Sequence, residues 1–251
     1  MNRLNIMRTV SQNTLTTLSA ALLIVFSPLQ ILAAQTEASF EFIHMDIKVA
    51  PENETPLILL LGEISTSLPS EVKVTLGEKI FSSTSATHEI NFSSRSGEVL
   101  ADLMSERNQS SRINFMHSLK GLVDIQKTIR GIRLFHFGGK NKRPDAKGTS
   151  SYYGYWGVRS QNPQKTVEMF LEFAKDFSHL RKDNSIGLGQ HVAGSNATTH
   201  YYLHTFSSYQ DYVQTFDAYG ASKAFQKHSQ IKQSFEAAVE NGLIKVLKQW
   251  N

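Results

Sequence analysis

The chain has 251 residues, of which 40% are hydrophobic and 19% are charged, and it contains no cysteine. This composition excludes a disulfide scaffold, a thiolate metal site, an intrinsically disordered chain and a polytopic membrane protein. The formal net charge is only +4, which gives no reason to expect a nucleic-acid partner.

Residues 1–34 have the arrangement of a secretory signal peptide. Arg3 and Arg8 come first, the apolar stretch Leu18–Phe26 follows, and small residues ending at Ala34 close the segment. The apolar stretch is far shorter than the roughly 18–20 residues that cross a bilayer. We therefore expect cleavage after Ala34, a secreted or periplasmic protein, and no stable membrane span after cleavage. An uncleaved membrane anchor is the alternative.

The first half of the remaining chain predicts two helices among four strands. Alternating apolar residues predict a strand over Phe40–Val49. The leucine-rich segment Pro56–Leu68 could be a helix or a buried strand, and comparison with the second half favours a helix. The expected elements that follow are strands Glu71–Phe81 and Thr87–Phe92, a long helical stretch Gly97–Arg130 and a strand Ile132–Phe137.

Basic residues and glycines over 138–151 predict a linker, after which the second half gives clearer signals. Asn162 and Pro163 form a helix start, and the next long helix begins at Ser207 or Ser208. The expected strands are Tyr152–Arg159, Ser185–Ala193, Thr198–Phe206 and Leu243–Trp250, with a helix bend at Gly220 and a helix end at Gly242.

Both halves therefore predict the order βαββαβ, and they share a short sequence pattern. Leu76–His88 and Leu188–His200 are identical at five of thirteen positions, although coincidence is an alternative. A βαββαβ unit is a four-stranded sheet with helices on one face, so its other face must be covered. We expect an α+β protein with two tandem ferredoxin-like units, 35–137 and 152–251, packed sheet to sheet as an internal pseudo-dimer.

The segment Ser207–Ala238 resembles the second helix of the dimeric α+β barrel superfamily, which includes antibiotic-biosynthesis-type monooxygenases. In that superfamily an aromatic-rich helix with a break precedes the final strand. The resemblance covers Tyr152–Trp250 directly and Phe40–Phe137 through the repeat. Members include oxygenases, haem-handling enzymes, decarboxylases and proteins without known chemistry, so it implies a fold and not one function. It also leaves open a monomer with an internal pseudo-dimer or a homodimer.

The predicted hairpin after residue 185 suggests which side chains line the space between the sheets. A turn at Ser195–Asn196 would place His191 opposite His200 and Gly189 opposite Tyr202. The more aliphatic face should then meet the helices. The candidate ligand-binding residues are His191, His200, Tyr202, His204 and either Tyr155 or, with a register shifted by one, Trp156. The alternative interpretation is that these side chains form ordinary cross-strand pairs.

These histidines do not predict a metal site. His200 and His204 would lie about 13 Å apart along one strand, too far to share an ion. His191 and His200 alone are too few ligands for a structural site. We expect no metal and no cofactor, although one axial histidine in an apolar slot would leave haem open.

No catalytic motif is recognisable in the sequence, and whether the protein is an enzyme stays open. The first hypothesis is an exported protein that binds a small, mostly apolar ligand between its sheets or has a non-catalytic role. The alternative is a cofactor-independent monooxygenase or a haem-handling enzyme, in which His191, His200 or His204 acts as acid, base or ligand.

Overall fold

The computed structural model describes residues 40–103, 105, 108–138, 152–181, 184–195 and 197–250. The predicted signal peptide, 1–34, and residues 139–151 of the predicted linker lie outside the described residues. Among the described helices, none combines the length and the apolar character needed to cross a membrane.

The described residues form eight strands and seven α-helices. The strands are β1 (Phe40–Val49), β2 (Lys73–Ser82), β3 (His88–Ser94), β4 (Val123–Phe137), β5 (Tyr152–Ser160), β6 (Ile186–Ala193), β7 (His200–Phe206) and β8 (Glu236–Trp250). The helices are α1 (Glu54–Ser67), α2 (Gly97–Leu103), α3 (Gln109–Lys120), α4 (Pro163–Asp176), α5 (Ser178–Arg181), α6 (Tyr209–Ala221) and α7 (Lys223–Gln233).

The eight strands close into one antiparallel barrel, in the order β1-β3-β2-β8-β5-β7-β6-β4. The four strands of each half are neighbours, and the pairs β2–β8 and β4–β6 join the halves. The expectation of an α+β fold is confirmed. The expected face-to-face packing of two separate sheets describes the barrel only in part. The sheet edges also pair, so each of the eight described strands has a neighbour on both sides.

Alternation along β1 divides the barrel wall into an apolar outer face and a more polar inner face. Ile43, Met45 and Ile47 belong to an apolar cluster that includes helix residues such as Leu57 and Leu61. Each fully buried aliphatic side chain of this kind contributes roughly 1.5–3 kcal/mol. The outer face of the barrel is therefore the hydrophobic core, and the intervening residues of β1 face the interior.

The helix starts of the second half follow the predicted capping residues. The Asn162 side chain accepts a hydrogen bond from the Lys165 backbone N–H, and the Ser208 hydroxyl accepts one from the Asp211 N–H. The predicted break in the last long helix is present, but it lies at Ser222 and not at Gly220. Ser222 ends α6 and caps α7, so the hydroxyl cap decides where the second helix begins.

Two strands begin earlier than predicted. Residues 123–130 were expected to be helical, but they belong to β4, where Val123 and Ile125 share the outer face and a bulge precedes Lys127. Glu236–Gly242 were expected to end a helix and instead begin β8. In both places pairing with a neighbouring strand overrides the local helical pattern.

Candidate functional site

The β6–β7 hairpin decides which of the predicted residues face the barrel interior. In the observed register Gly189 pairs with Tyr201 and Gln190 pairs with His200. The predicted register was wrong by one residue. Because successive side chains point to opposite faces, this shift moves every side chain of β7 to the other face and leaves β6 as predicted.

Four of the six candidate residues lie on the outer, helix-covered face. The interior position expected for His200, Tyr202 and His204 is wrong, and so is the shifted register that would have placed Trp156 inside. Their contacts show this: Tyr202 lies 6.0 Å from Phe170 of α4, His204 lies 5.9 Å from Tyr219 of α6, and Trp156 lies 5.4 Å from Phe216 of α6, as distances between ring centroids. His200 has the same strand parity as Tyr202 and His204, and it too is buried on that face.

The other two candidates, Tyr155 and His191, do lie together inside the barrel. The Tyr155 Oη and His191 Nε2 atoms are 3.3 Å apart. Tyr201 completes a stack, with ring centroids 6.1 Å from Tyr155 and 5.3 Å from His191. Gly189 makes this stack fit, because a Cβ there would stand 2.1 Å from the Tyr201 ring.

These rings form part of the wall of an interior cavity of about 100 Å³. An engineered apolar cavity of about 150 Å³ holds one benzene molecule, so this space suits roughly one aromatic ring. The strand directions place Phe40 and Arg133 at one end of the cavity and His44 and Glu89 at the other. The lining residues are Phe40, Phe42, His44, Thr75, Glu89, Asn91, Ser93, Ile129, Arg133, Tyr152, Tyr153, Tyr155, His191, Tyr201, Leu203, Thr205, Val246 and Gln249.

A buried charged cluster forms the floor of this cavity. His44 and Asp46 are two residues apart on β1 and therefore share a face, and the His44 Nε2–H donates to Asp46 Oδ1 at 2.9 Å. Lys79 Nζ donates to the same oxygen, and Glu89 Oε2 lies 4.0 Å from His44 Nε2. Asp46 and Glu89 have side chains only 5% and 4% exposed.

Burial and mutual charge set the protonation of this cluster. Burial alone would raise the pKa of Asp46, but the hydrogen bond and charge of His44, together with Lys79, hold that pKa far below its usual range. Burial raises the pKa of Glu89. Burial would lower the pKa of His44, but Glu89 and Asp46 outweigh it and raise that pKa. Asp46 is therefore ionised, and His44 and Glu89 titrate as a coupled pair.

A second hydrogen-bonded chain supports Tyr155. The Tyr155 hydroxyl donates to Glu240 Oε1 at 2.9 Å, and Lys127 Nζ donates to both Glu240 oxygens at 2.8 and 2.9 Å. His191 Nδ1 lies 2.6 Å from Thr198 Oγ1, so both ring nitrogens of His191 are engaged. Burial, aided by the charge of Lys127, lowers the pKa of His191 to about 4. His191 is thus a neutral, fully bonded wall residue at pH 7.

His44 differs from His191 in having a ring nitrogen available. Asp46 engages Nε2, and no described residue forms a hydrogen bond with Nδ1, while the ring borders the cavity. The sequence patterns described above do not identify His44, Asp46 or Glu89 as site residues. The signal was present, because the alternation that places Ile43, Met45 and Ile47 outside also places His44 and Asp46 together inside.

The same cluster is the one group of possible metal ligands found among the described residues. One ligand atom from each of His44, Asp46 and Glu89 lies within 4.8 Å of the others. However, the Lys79 ammonium group already lies 2.5 Å from Asp46 Oδ1 and supplies the local positive charge. A divalent ion would have to displace this ammonium from a buried position, which weighs against a metal site.

No protein-family profile matches the sequence, and no curated protein matches it significantly. Solved structures do match. An anthrone oxidase-like protein superposes with a TM-score of 0.59 at 13% identity, covering 85% of this chain and 93% of that one. A proposed monooxygenase from Fusobacterium nucleatum subsp. nucleatum gives 0.58 at 11% identity, covering 86% and 96%. A variant chlorite dismutase from Candidatus Nitrospira defluvii gives 0.53 at 10% identity, covering 84% and 92%.

The chain has a dimeric α+β barrel fold. Identities of 10–13% establish the fold alone, so the activity has to be argued from the site. The barrel interior is the candidate functional site, because this fold brings ionisable side chains from both halves of the chain around one cavity there.

Haem, which the resemblance to haem-handling proteins left open, does not fit the described residues. The interior cavity of about 100 Å³ is well below the roughly 300–1,000 Å³ of pockets for drug-sized ligands, and haem is no smaller than such ligands. On the outer face, His204 Nε2 and His228 Nε2 are buried without a described hydrogen-bond partner. Packed rings enclose both, with Phe206 at 4.5 Å from His204 and Phe177 at 5.5 Å from His228.

Proposed function

We propose that this protein is a cofactor-independent oxygenase that uses O₂ to oxidise a small aromatic carbon acid inside the barrel. The observation that carries the proposal is His44, a histidine held by an ionised carboxylate on one nitrogen and bordering a ring-sized aromatic cavity. The fold shared with an anthrone oxidase-like protein and a proposed monooxygenase supports the same class of reaction. The alternative hypothesis from the sequence is therefore preferred to the non-catalytic one.

His44 is the proposed general base. Asp46 accepts the Nε2–H and fixes the tautomer whose lone pair is on Nδ1. This nitrogen accepts a proton from a CH₂ group that is activated by a ring and a carbonyl. Burial raises the pKa of the Glu89 carboxyl, which borders the same cavity and can donate a hydrogen bond to the enolate oxygen.

The carbanion supplies the electrons for the rest of the reaction. It reduces O₂ by forming a C–O bond, the protonated His44 returns its proton to the peroxide anion, and the resulting hydroperoxide loses water to give a carbonyl. In sum, one O₂ converts CH₂ to C=O and releases one H₂O, so no external reductant is required. Tyr155 is a positioning residue in this scheme, because its hydroxyl hydrogen is donated to Glu240 and its ring forms the cavity wall.

We also propose that the chain arose by tandem duplication, with units 35–137 and 152–251 joined by the linker 138–151. The same element order and the same spatial strand order in each half support this. One chain closes the barrel by itself, which favours a monomer, and a further homodimer is the alternative. Export through cleavage after Ala34 remains a proposal, to be tested by the N-terminal mass of the protein recovered outside the cytoplasm.

An oxygen electrode tests the proposed reaction with 2-indanone, a small aromatic carbon acid. We expect the chelator-treated protein to consume one O₂ for each indanedione formed. His44→Gln should lower the rate by roughly 10²–10⁴-fold. His117→Gln, on the exposed face of α3, is the matched control and should leave the rate unchanged. An unchanged rate in His44→Gln, or no oxygen uptake with 2-indanone, would contradict the proposal.

A further inference from the structure

The residue beside His44 on the neighbouring strand is an asparagine. Asn91 of β3 pairs directly with His44 of β1, and on its other side it pairs with Thr75 of β2. All three side chains line the interior cavity. We propose that the Asn91 side-chain amide donates a hydrogen bond to the substrate oxygen that becomes an enolate when His44 removes the proton. This inference rests on the proposed function, because it names a further catalytic residue of the same site.

The side-chain amide of Asn91 is free to bind a ligand. The described residues form no hydrogen bond with it. Gln249, the other carboxamide in the cavity wall, differs in this respect, because its Nε2–H donates to Thr75 Oγ1 at 3.2 Å. An amide that borders a cavity without a partner costs free energy until a ligand or a water molecule binds it. Asn91 therefore offers its N–H donors to the molecule that occupies the cavity.

The strand pairing places this donor next to the proposed base. Directly opposite residues of antiparallel strands point to the same face, with Cβ atoms about 4.5–5.5 Å apart. In a carbon acid the acidic hydrogen and the carbonyl oxygen belong to neighbouring carbon atoms, so the base and the oxygen-binding donor must be neighbours as well. His44 and Asn91 meet this requirement, since one accepts a proton on Nδ1 and the other donates from Nδ2.

Asn91 and Glu89 have different parts in this scheme. They are two residues apart on β3 and share a face, roughly 7 Å from each other along the strand. Glu89 Oε2 lies 4.0 Å from His44 Nε2, the nitrogen that Asp46 engages. Glu89 can donate only while it is protonated, whereas an amide donates at every pH. When His44 removes the proton, the C–H electron pair moves to the oxygen, and the Asn91 N–H stabilises the negative charge that develops there.

Phenol tests the inference, because it is a single ring, the size that suits the cavity, and its oxygen resembles that of an enolate. Fluorobenzene is the matched ring without a hydroxyl group. In calorimetry we expect Asn91→Leu to weaken phenol binding by roughly tenfold or more and to leave fluorobenzene binding unchanged, because leucine has a similar size and no donor. Asn91→Ala, judged by the ratio of the two affinities, serves if leucine does not fit. Gln190→Leu, on the exposed face of β6, is the control and should bind both ligands normally.

Oxygen uptake gives the kinetic counterpart of this test. With 2-indanone, Asn91→Leu should lower kcat roughly 10²–10³-fold and change KM little, because the hydrogen bond strengthens as the charge develops. A purely structural role would instead weaken the binding of both rings.

Undiminished phenol binding by folded Asn91→Leu would overturn the inference, as would equal weakening of phenol and fluorobenzene. No phenol binding by the unmodified protein would also overturn it. Because calorimetry needs no turnover, the two proposals fail separately. Phenol binding that depends on Asn91, without any oxygen uptake, would contradict only the proposed reaction. Oxygen uptake that keeps its kcat in Asn91→Leu would contradict only the role of Asn91.

Discussion

Replacing Asp46 with asparagine should destabilise the protein strongly, because it leaves the buried Lys79 ammonium group without its negatively charged partner and removes the ionised acceptor of the His44 N–H. Asp46 is 5% exposed and accepts from both His44 and Lys79. Breaking a buried ion pair in this way costs about 3–5 kcal/mol. The side-chain oxygen of asparagine can still accept a hydrogen bond from His44 or Lys79, so we expect the lower end of that range. A loss of about 3 kcal/mol corresponds to a fall in Tm of roughly 6–12 °C for a protein of this size.

Urea denaturation at pH 7 measures this loss as a lower midpoint at constant slope. The matched control is Glu41→Gln, which breaks the Glu41–Arg130 pair, where the side chains are 18% and 41% exposed. Solvent screens that pair, so its loss should cost no more than about 1 kcal/mol.

The pH dependence gives a second test of the same cluster. Because the pKa of Asp46 is lowered by folding, its contribution is complete above its unfolded pKa, about 3.9, and is lost as the pH falls further. The Asp46→Asn variant should lose less stability than the unmodified protein between neutral and acidic pH. Equal losses of stability in Asp46→Asn and Glu41→Gln would contradict a buried, ionised Asp46 in this cluster. A pH dependence of stability in Asp46→Asn that equals that of the unmodified protein would contradict it too.

Two further predictions concern the cavity. The rate of oxygen uptake should increase with pH, with an apparent pKa above the usual 6.5 of histidine. Burial lowers the pKa of His44, but Glu89 and Asp46 outweigh burial and raise it. A pH series of initial rates in Asp46→Asn should show the same increase at lower pH. Gly189→Ala should force the Tyr201 ring to move and cost about 1–3 kcal/mol by overpacking, measured by thermal unfolding. Gly220→Ala, where a Cβ meets nothing within 4 Å, should be neutral or stabilising.

For these two predictions the contradicting outcomes are distinct. A rate that is flat or falls across the neutral pH range would exclude a neutral His44 base. A Gly189→Ala variant as stable as Gly220→Ala would contradict tight packing of the Tyr201 ring against Gly189.

Elements whose signals lie within a few residues could be read from the sequence. The alternation of β1 predicts its bounds as observed, Phe40–Val49, and the hydroxyl and amide caps at Asn162 and Ser208 place two helix starts. These signals succeed because a strand with one apolar face and a capped first turn depend on local residues. The repeated order of elements likewise predicts an α+β fold with antiparallel strands.

Register and long-range pairing could not be read in the same way. A hairpin turn shifted by one residue keeps the predicted faces of β6 but exchanges the two faces of β7. His200, Tyr202 and His204 therefore lie outside the barrel, and Tyr201 lies inside. The charged floor joins β1 to residues on β2 and β3, more than thirty positions away in sequence. No periodic pattern of side chains in the sequence predicts that Lys79 or Glu89 lies beside His44.

Proton exchange without oxygen is the sharpest test of His44 as the general base, because it isolates proton abstraction from the later steps. The measurement follows the CH₂ signal of 2-indanone by NMR in anaerobic D₂O with the chelator-treated protein. We expect the protein to accelerate loss of this signal, His117→Gln to do so equally, and folded His44→Gln not to do so. Equal acceleration by His44→Gln, or none by the unmodified protein, would contradict this role of His44.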